Sequence, residues 1–441
     1  MSHLALERDL GSDSSPLQTL SDRNRRIRLA IVFFVTGFHI FRNLSLSVYM
    51  MIFGLIALMT MVDYLSSRSI SRRTAGHYVS IMTIWLFFIA IGFISSIGQT
   101  STAGLITGTT RLLFWIPFGV ALMTYIRDQD DFHFLLKLLV VYWAINSLSI
   151  LVQFAIGPIP FFANESLRAG FTRYAPLSGA LPTISSFGMV PVLAVPIASP
   201  LISFLIVIGF IGSIASLSKA AIAIGFLGTT YYFFRTIKSI NLLTWISVAI
   251  LGVLTWALLQ IQDIWNRLAA VLLSFGIETE GSSTIQNWDV SVERGALERI
   301  TTLPEGTLKS LYEANVDLFP LLGGGYGYAS TALVPNNDSL AVMAHNQYVE
   351  VWAVFGVFGM LVFGIIVLLT LINLTRIAVA DSKSVHMLLA AIIFFISAIF
   401  ANGTIYQPVH ATIFAIILFA AFAPPETCFG VNGRTSTIEV S

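Results

Sequence analysis

Histidine is the most informative residue type in this sequence, because its side chain exchanges protons near neutral pH and is rare in apolar segments. His345 lies in the run Met343-Ala-His-Asn-Gln-Tyr-Val-Glu350, where a long apolar segment begins. A helix that starts there would place Tyr348 on the same side as His345, with Glu350 at the next turn. His345 is either a functional group or an interfacial histidine whose ring reaches water. His39 and His410 are interpreted as interfacial.

Cationic residues form the second set of candidates. Arg168 and Arg173 lie in Leu167-Arg-Ala-Gly-Phe-Thr-Arg173, and Lys219 ends the run Ser216-Leu-Ser-Lys219 between two apolar segments. Groups of this kind commonly bind phosphate or pyrophosphate. Solvated loop charge is the alternative for the two arginines. Arg111 either precedes an apolar segment or lies inside it and faces a water-filled cavity.

Other patterns give no support for nucleotide or metal chemistry. The run Gly323-Gly-Gly-Tyr-Gly327 lacks the Gly-Lys-Ser/Thr of a P-loop and predicts a flexible turn. Asp128-Gln-Asp130 has the spacing of metal-dependent sugar-nucleotide transferases, but its short link predicts a solvated turn. The sequence has no metalloprotease or nucleophile-elbow motif, and one cysteine, Cys428, which excludes a disulfide framework. We predict no metal and no cofactor.

Membrane helices must position these candidates. The chain has 441 residues, of which 56% are hydrophobic and 11% charged, and its mean hydropathy is +0.82. Soluble proteins are about 25% charged. Apolar segments long enough to cross a bilayer recur from Leu29 to Ala423. The net charge of +1 gives no general attraction to nucleic acid. These features predict an all-α fold, a polytopic transmembrane helical bundle.

About twelve spans are predicted, all helical because lipid offers no partner for free backbone groups. The sixth span carries Pro182, Pro191 and Pro196, which predict a kinked helix, and Pro200 predicts a tight turn into the seventh. The twelve segments are 27–41, 44–65, 77–98, 105–126, 134–157, 181–199, 201–217, 219–234, 241–260, 347–374, 385–402 and 407–423.

The distribution of Lys and Arg predicts the orientation, because these residues stay on the cytoplasmic side. With twelve spans, the basic residues of the amino-terminal segment and of the links after even-numbered spans share one side. The tails 1–26 and 424–441 are then cytoplasmic, spans 1–9 lie within 27–260, and spans 10–12 lie within 347–423. The polar first 24 residues predict no cleavable signal peptide.

Two loops then lie on the outer side, at 158–180 and, much larger, at 261–346. In the large loop, Arg267 and three further basic residues are outnumbered by acids, so the loop as a whole does not attract anions. It is better suited to cover the site or to form part of an acceptor site. Those three are Arg294, Arg299 and Lys309. Apolar spacing over 290–303 and 308–319 predicts two short amphipathic helices in it.

Several of these motifs together resemble the O-antigen ligase and polymerase family of bacterial surface glycan assembly. The resemblance lies in a large outer loop late in the chain, a Gly-rich turn and the histidine segment that follows it. Lys219 stands where the family has arginine, which keeps the charge but loses the bidentate fork. The matching runs are Arg168-Ala-Gly-Phe171, Ser216-Leu-Ser-Lys219, Pro320-Leu-Leu-Gly-Gly-Gly325, His345-Asn-Gln-Tyr-Val-Glu350 and Gly356-Val-Phe-Gly359.

The resemblance implies a metal-independent glycosyltransferase at the periplasmic face of the bacterial inner membrane. Its partners would be an undecaprenyl-pyrophosphate-linked glycan donor, a glycan or lipid-linked acceptor, the lipid bilayer and other polysaccharide-assembly proteins. His345 would activate the acceptor hydroxyl, and basic residues would stabilise the departing pyrophosphate. The implied binding residues are Arg168, Arg173, Lys219, Tyr348 and Glu350, with Arg294, Arg299 and Lys309 as loop candidates.

The implied function has two possible forms, which differ in the acceptor that receives the glycan. A polymerase extends another lipid-linked repeat, and a ligase caps lipid A-core or another surface acceptor. The Arg168-to-Gly179 spacing and the long loop slightly favour the polymerase. A transporter or flippase of lipid-linked glycans is the alternative from another class, and paired intramembrane acids or broken helices at corresponding positions would favour it. A non-catalytic assembly subunit is a third option.

Overall fold

Long apolar segments satisfy their backbone N–H and C=O groups away from water by forming helices. The computed structural model describes residues 22–37, 46–66, 72–97, 102–113, 115–159, 165–168, 171–178, 187–236, 321–326, 347–399 and 408–430, with scattered residues between 249 and 269. Over these residues the fold is a helical bundle, as predicted. It also contains one β-hairpin, formed by β1 (Glu165–Arg168) and β2 (Phe171–Tyr174), which the all-α prediction omits.

The helices of the described residues are, in chain order, α1 (Asp22–Gly37), α2 (Leu46–Ser66), α3 (Arg72–Ser96), α4 (Thr102–Leu113), α5 (Trp115–Tyr125), α6 (Gln129–Ile156), α7 (Val190–Leu193), α8 (Pro200–Ala215), α9 (Lys219–Thr236), α10 (Gln347–Ala380), α11 (Val385–Ser397), α12 (Pro408–Phe422) and α13 (Pro425–Phe429). Short 3₁₀ turns lie at Val195–Ile197 and Ser382–Ser384.

Three stretches of the described chain are long and apolar enough to cross a membrane: Tyr78–Ser96, Gln129–Ile156 and Val354–Ala380. The remaining apolar helices are shorter, and the predicted ninth span lies mostly outside the described residues. The total of twelve spans therefore stays a prediction. The two loop helices predicted at 290–303 and 308–319 also lie outside the described residues.

The predicted sixth span is more interrupted than a kinked helix. Its described part, 187–199, contains the single turn α7 with 3₁₀ stretches before and after it, and Ser199 then caps α8. Pro191 and Pro196 each stand at the start of one of these short turns, where a missing backbone donor is tolerated. Neither turn can propagate through the next proline, so the prediction of a kinked helix is wrong here.

Helix α2 exposes an apolar face. Met51, Leu55, Leu58, Val62 and Leu65 are all exposed, and their spacing of three and four residues puts them on one side of the helix. A surface helix of a soluble protein has charged and polar residues on its outer face. An exposed apolar stripe of this kind suits contact with lipid.

Inside the bundle, aromatic rings join distant helices. The Trp85 ring of α3 stacks on Trp115 of α5 at 4.7 Å and on Phe88 at 5.0 Å, measured between centroids. Phe414 of α12 packs edge-on against Trp115 at 5.3 Å. Such pairs add about 0.5–1.5 kcal/mol each to the burial of apolar area.

Helices α1, α6 and α8 run in the same direction. Arg25 contacts Asp131, and Phe33 contacts Tyr142 about two turns further along α1 and about three turns further along α6. Helix α8 lies against the next part of α6, where the Ser147 hydroxyl donates to the Gly209 carbonyl at 2.9 Å. All three helices therefore begin at the same end of the bundle, which we call the arginine end.

The opposite end, which we call the hairpin end, contains the carboxyl ends of α3, α6 and α8. Helix α3 begins at the arginine end, because it runs antiparallel to α5, and Tyr125 at the end of α5 donates to Asp63 beside Arg28. Helix α10 runs antiparallel to α3, since Phe88 packs on Phe363 while Gly92 lies against Phe355. Helices α9 and α10 therefore both begin at the hairpin end.

Buried ion pairs hold the arginine end together. Arg25 donates from Nη2 to Asp131 Oδ2 at 2.6 Å, and Arg26 donates from Nε to Oδ1 at 2.9 Å. Arg28 binds Asp63 of α2. Asp131 is fully buried, so its two arginines replace the water that a carboxylate requires.

The predicted solvated turn Asp128-Gln-Asp130 has a structural role as well. The Asp128 carboxylate caps α6 by accepting the Asp131 N–H at 2.9 Å, whereas Asp130 is exposed. An N-cap of this type contributes about 1 kcal/mol to helix stability.

Replacing Asp131 with Ala is expected to destabilise the protein by about 3–5 kcal/mol, because it removes the buried partner of Arg25 and leaves the exposed Asp22, at 2.9 Å, as the nearest carboxylate to that arginine. Thermal unfolding of the purified protein in detergent measures the effect. Asp130→Ala removes a neighbouring exposed carboxylate and is the matched control, expected to change stability by about 0.5 kcal/mol or less. Equal unfolding midpoints for the two variants would contradict a structural ion cluster.

Candidate functional site

The β-hairpin brings the two predicted arginines to one face of a ladder. Its register pairs Ser166 with Arg173 and Arg168 with Phe171. Alternate residues of a strand share a face, so positions 168 and 173 lie on the same face of the hairpin. The spacing of the two arginines in the sequence does not predict that they share a face, because this depends on where the chain turns between the strands.

A polar stripe on α6 holds the chain that leaves the hairpin. Gln153 donates from Nε2 to the Ala175 carbonyl at 2.9 Å, and the Asn146 amide oxygen accepts the Ser178 N–H at 2.8 Å. Ser149, between them on the helix, accepts the Leu177 N–H at 3.3 Å. These side chains are buried, and none of them was predicted as a site residue. Their polar types at three- and four-residue spacing in an apolar helix were the available signal.

Lys219 opens α9 at the same end of the bundle, after a strained turn. Leu217 is buried with φ of 54°, a left-handed conformation that costs a non-glycine residue about 1–2 kcal/mol. The Ser218 carbonyl accepts the first helical hydrogen bond, from Ile222 at 2.9 Å, so Lys219 is the first residue of the helix. A positive charge at a helix start is unfavourable to the helix dipole, so Lys219 does not stabilise the start of α9 through its charge.

Helix α10 is interrupted at Gly356, and the Gly-rich run fills the interruption. Gly356 has φ of 64° and ψ of −164°, a backbone conformation that is essentially restricted to glycine. Gly325 donates its N–H to the Val354 carbonyl at 3.0 Å, and Phe358 donates to the Leu321 carbonyl at 3.2 Å. Backbone groups that the break would leave without partners are thus paired by the segment 321–326. We call residues 321–326 the wedge. The turn predicted for these glycines as flexible is held in place by these hydrogen bonds.

The wedge is also fastened to α3. The Tyr326 N–H donates to Ser96 Oγ at 2.8 Å, and its hydroxyl donates to the Ile89 carbonyl at 2.9 Å. Ser95 binds the Leu322 carbonyl. Burial raises the pKa of Tyr326 well above its ordinary value, so its hydroxyl remains a donor. The serines and the tyrosine were not predicted as site residues.

The start of α10 is held by α11. Gln347 donates its N–H to the Ala398 carbonyl at 2.8 Å, and the Tyr348 hydroxyl donates to the Phe395 carbonyl at 2.9 Å. Tyr348 also packs on Phe363, at 6.0 Å between centroids. This gives Tyr348 a structural role, and its role in substrate binding stays a prediction. Glu350 lies in the first turn of α10.

Four of the predicted site residues lie outside the described residues: His345, Arg294, Arg299 and Lys309. In the sequence, His345 comes two residues before Gln347 and 19 residues after Tyr326, the last described residue of the wedge. The hairpin, the α9 start and the α10 start, which carry the other predicted residues, all lie at the hairpin end.

Two further predictions are resolved at this end. Arg111 lies within α4, and the apolar helix α5 begins four residues after it, at Trp115. His410 was expected to reach water, but it is buried in α12 beside the Phe394 ring, and that prediction is wrong. The physical reason is that nearly every residue of α12 is buried, so the ring of His410 lies against Phe394 of α11 and not at a surface. His39 lies outside the described residues.

Among the described residues, no group of three or more His, Cys, Asp or Glu side chains could hold a metal ion. Comparison of the chain with models of known families and with characterised proteins gives no match. Function is therefore inferred from the residues and their placement.

Gly356→Ala is expected to lower stability by about 1–3 kcal/mol or more, because a Cβ there adopts a glycine-only conformation and lies 2.3 Å from the Leu321 carbonyl oxygen. Gly364→Ala in the same helix meets nothing within 4 Å and is expected to be neutral or slightly stabilising. Thermal unfolding of the two purified variants tests the difference. A normal midpoint for Gly356→Ala would mean that the wedge does not stabilise α10.

Proposed function

We propose that this chain is a bacterial inner-membrane glycosyltransferase of surface polysaccharide assembly. It transfers an undecaprenyl-pyrophosphate-linked glycan to a sugar hydroxyl, as in polymerases and ligases of O-antigen and exopolysaccharide. The supporting observation is that the wedge and the start of α10, the described parts of the chain before and after His345, lie at the same end of the bundle as positions 168, 173 and 219, which carry Arg168, Arg173 and Lys219.

In the proposed reaction, the acceptor oxygen attacks the anomeric carbon of the donor. The bond between that carbon and the pyrophosphate oxygen breaks, and undecaprenyl pyrophosphate departs with the electron pair. His345 takes the proton of the acceptor hydroxyl. A single displacement of this kind inverts the anomeric carbon. Neither nucleotide nor metal is needed, because the lipid pyrophosphate is already a leaving group.

Cationic groups stabilise the departing pyrophosphate. Arg168 and Arg173 occupy one face of the hairpin, where two guanidinium groups can share one pyrophosphate. Lys219 adds a charge at a helix start, where backbone N–H groups also favour anions. Glu350 and the loop residues Arg294, Arg299 and Lys309 are assigned to substrate binding.

The proposed orientation puts the hairpin end in the periplasm and both termini in the cytoplasm, with twelve spans. In its support, the arginine end carries Arg25, Arg26 and Arg28 of α1, and Arg235 lies in the last turn of α9, which ends on the same side. Basic residues concentrate on the cytoplasmic side of membrane proteins.

The interrupted α10 also occurs in transporters, which use broken helices to bind substrates and ions. Here backbone of the wedge fills the break. The buried acids of the described residues, Asp63 and Asp131, are both paired with arginines of α1. These pairings leave the transport alternative with less support than the transferase.

His345→Ala is expected to reduce transfer by about 100- to 10,000-fold, the usual contribution of a general base. Gel display of the surface polysaccharide of the producing strain measures polymer length and amount. His133→Ala, at the arginine end, is the control and should leave the polymer unchanged. Normal polymer from a normally abundant His345→Ala protein would exclude the catalytic role.

Deletion of the gene separates the two acceptors. We expect single repeats capped on the final acceptor, the result of a lost polymerase. Full-length polymer that remains on the lipid carrier would instead identify a ligase. Unchanged polysaccharide in the deletion strain would contradict both forms of the proposal.

A further inference from the structure

A groove runs between α1 and α6, on the outer surface of the described bundle. It has a volume of about 1120 Å³ and is lined almost entirely by apolar side chains, among them Phe34, Phe134 and Ile145. Ile145 and Ile31, which also lines the groove, are 38% and 44% exposed. The described residues therefore leave this apolar surface uncovered.

Charge is confined to one end of the groove. Arg23 and Arg26 line it at the arginine end, and Leu177 lines it at the other. Along α1 the lining extends from Arg23 to Val35, which is about 18 Å at 1.5 Å per residue. One leaflet of a hydrocarbon core of about 30 Å has roughly this depth. A molecule that fits this groove therefore has an anionic head group and a hydrocarbon chain about as long as one leaflet.

The two arginines have donors to offer such a head. Arg26 binds Asp131 through Nε, and its guanidinium carbon lies 5.9 Å from the centre of the Phe134 ring. Within the described residues its terminal nitrogens make no hydrogen bond, and Arg23 is exposed and forms no ion pair. Arginine binds phosphate with two parallel donors. The nearby carboxylates Asp128 and Asp130 also act on Arg26, so Arg23 supplies the added positive charge.

We propose that this groove binds one anionic phospholipid, with its phosphate at Arg23 and Arg26 and an acyl chain along α1 and α6. The proposed donor lipid is a different ligand, because its pyrophosphate is assigned to the hairpin end. The proposal rests on membrane location alone and stands or falls independently of the transferase reaction.

The test uses the purified full-length protein, incubated in detergent with equal amounts of dioleoyl phosphatidylglycerol and dioleoyl phosphatidylcholine. Native mass spectrometry then gives the ratio of the two retained lipids. We expect phosphatidylglycerol to predominate several-fold in the wild type. Arg23→Gln is expected to reduce this preference about fivefold, which corresponds to about 1 kcal/mol for one basic residue at an anionic surface. Arg23→Lys should retain most of it.

Two variants distinguish a site from general surface charge. Arg127→Gln removes a partly exposed arginine of the same end that does not line the groove, and it should leave the lipid ratio unchanged. Ala30→Phe fills the groove beside intact arginines and should reduce retention of both lipids. Equal effects of Arg23→Gln and Arg127→Gln, or undiminished retention by Ala30→Phe, would overturn the proposal.

Discussion

The pairing of backbone groups at the break in α10 is the constraint on which the hairpin end depends. A helix that stops at Gly356 inside an apolar bundle leaves N–H and C=O groups that water cannot reach. The chain supplies their partners from residues 321–326, and these residues are in turn bound to Ser95 and Ser96 of α3. These hydrogen bonds, with the bond from Gln347 to Ala398, place Tyr326 and Gln347, the two described residues on either side of the segment that includes His345.

Charge has opposite uses at the two ends of the bundle. At the arginine end, Asp131 and Asp63 are matched by arginines of α1, so charge there stabilises the packing of helices. At the hairpin end, Lys219 starts a helix where its charge is unfavourable to the helix itself. In the proposed function a pyrophosphate is the partner of this charge, and in the proposed lipid site a phosphate is the partner of Arg23.

The sequence predicted the helical class well, because hydropathy reports directly on burial and lipid contact. It predicted Asp128 only as a turn residue and missed the partnership of Asp131 with Arg25, because those residues are 106 positions apart. The wedge was seen as a motif but not as a structure, since nothing local shows that Gly325 pairs with Val354. The prolines predicted a kink before α8, whereas the structure has short separate turns there. The hairpin escaped prediction because four-residue strands leave little periodicity to detect.

The bond between Ser96 and Tyr326 joins residues separated by 230 positions. At elongation rates of about 5–20 residues per second, roughly 10–50 s pass between the synthesis of the two partners. During this interval Ser95 and Ser96, at the end of α3, lack the segment whose backbone groups they bind in the folded protein. The hairpin end is therefore completed late in translation.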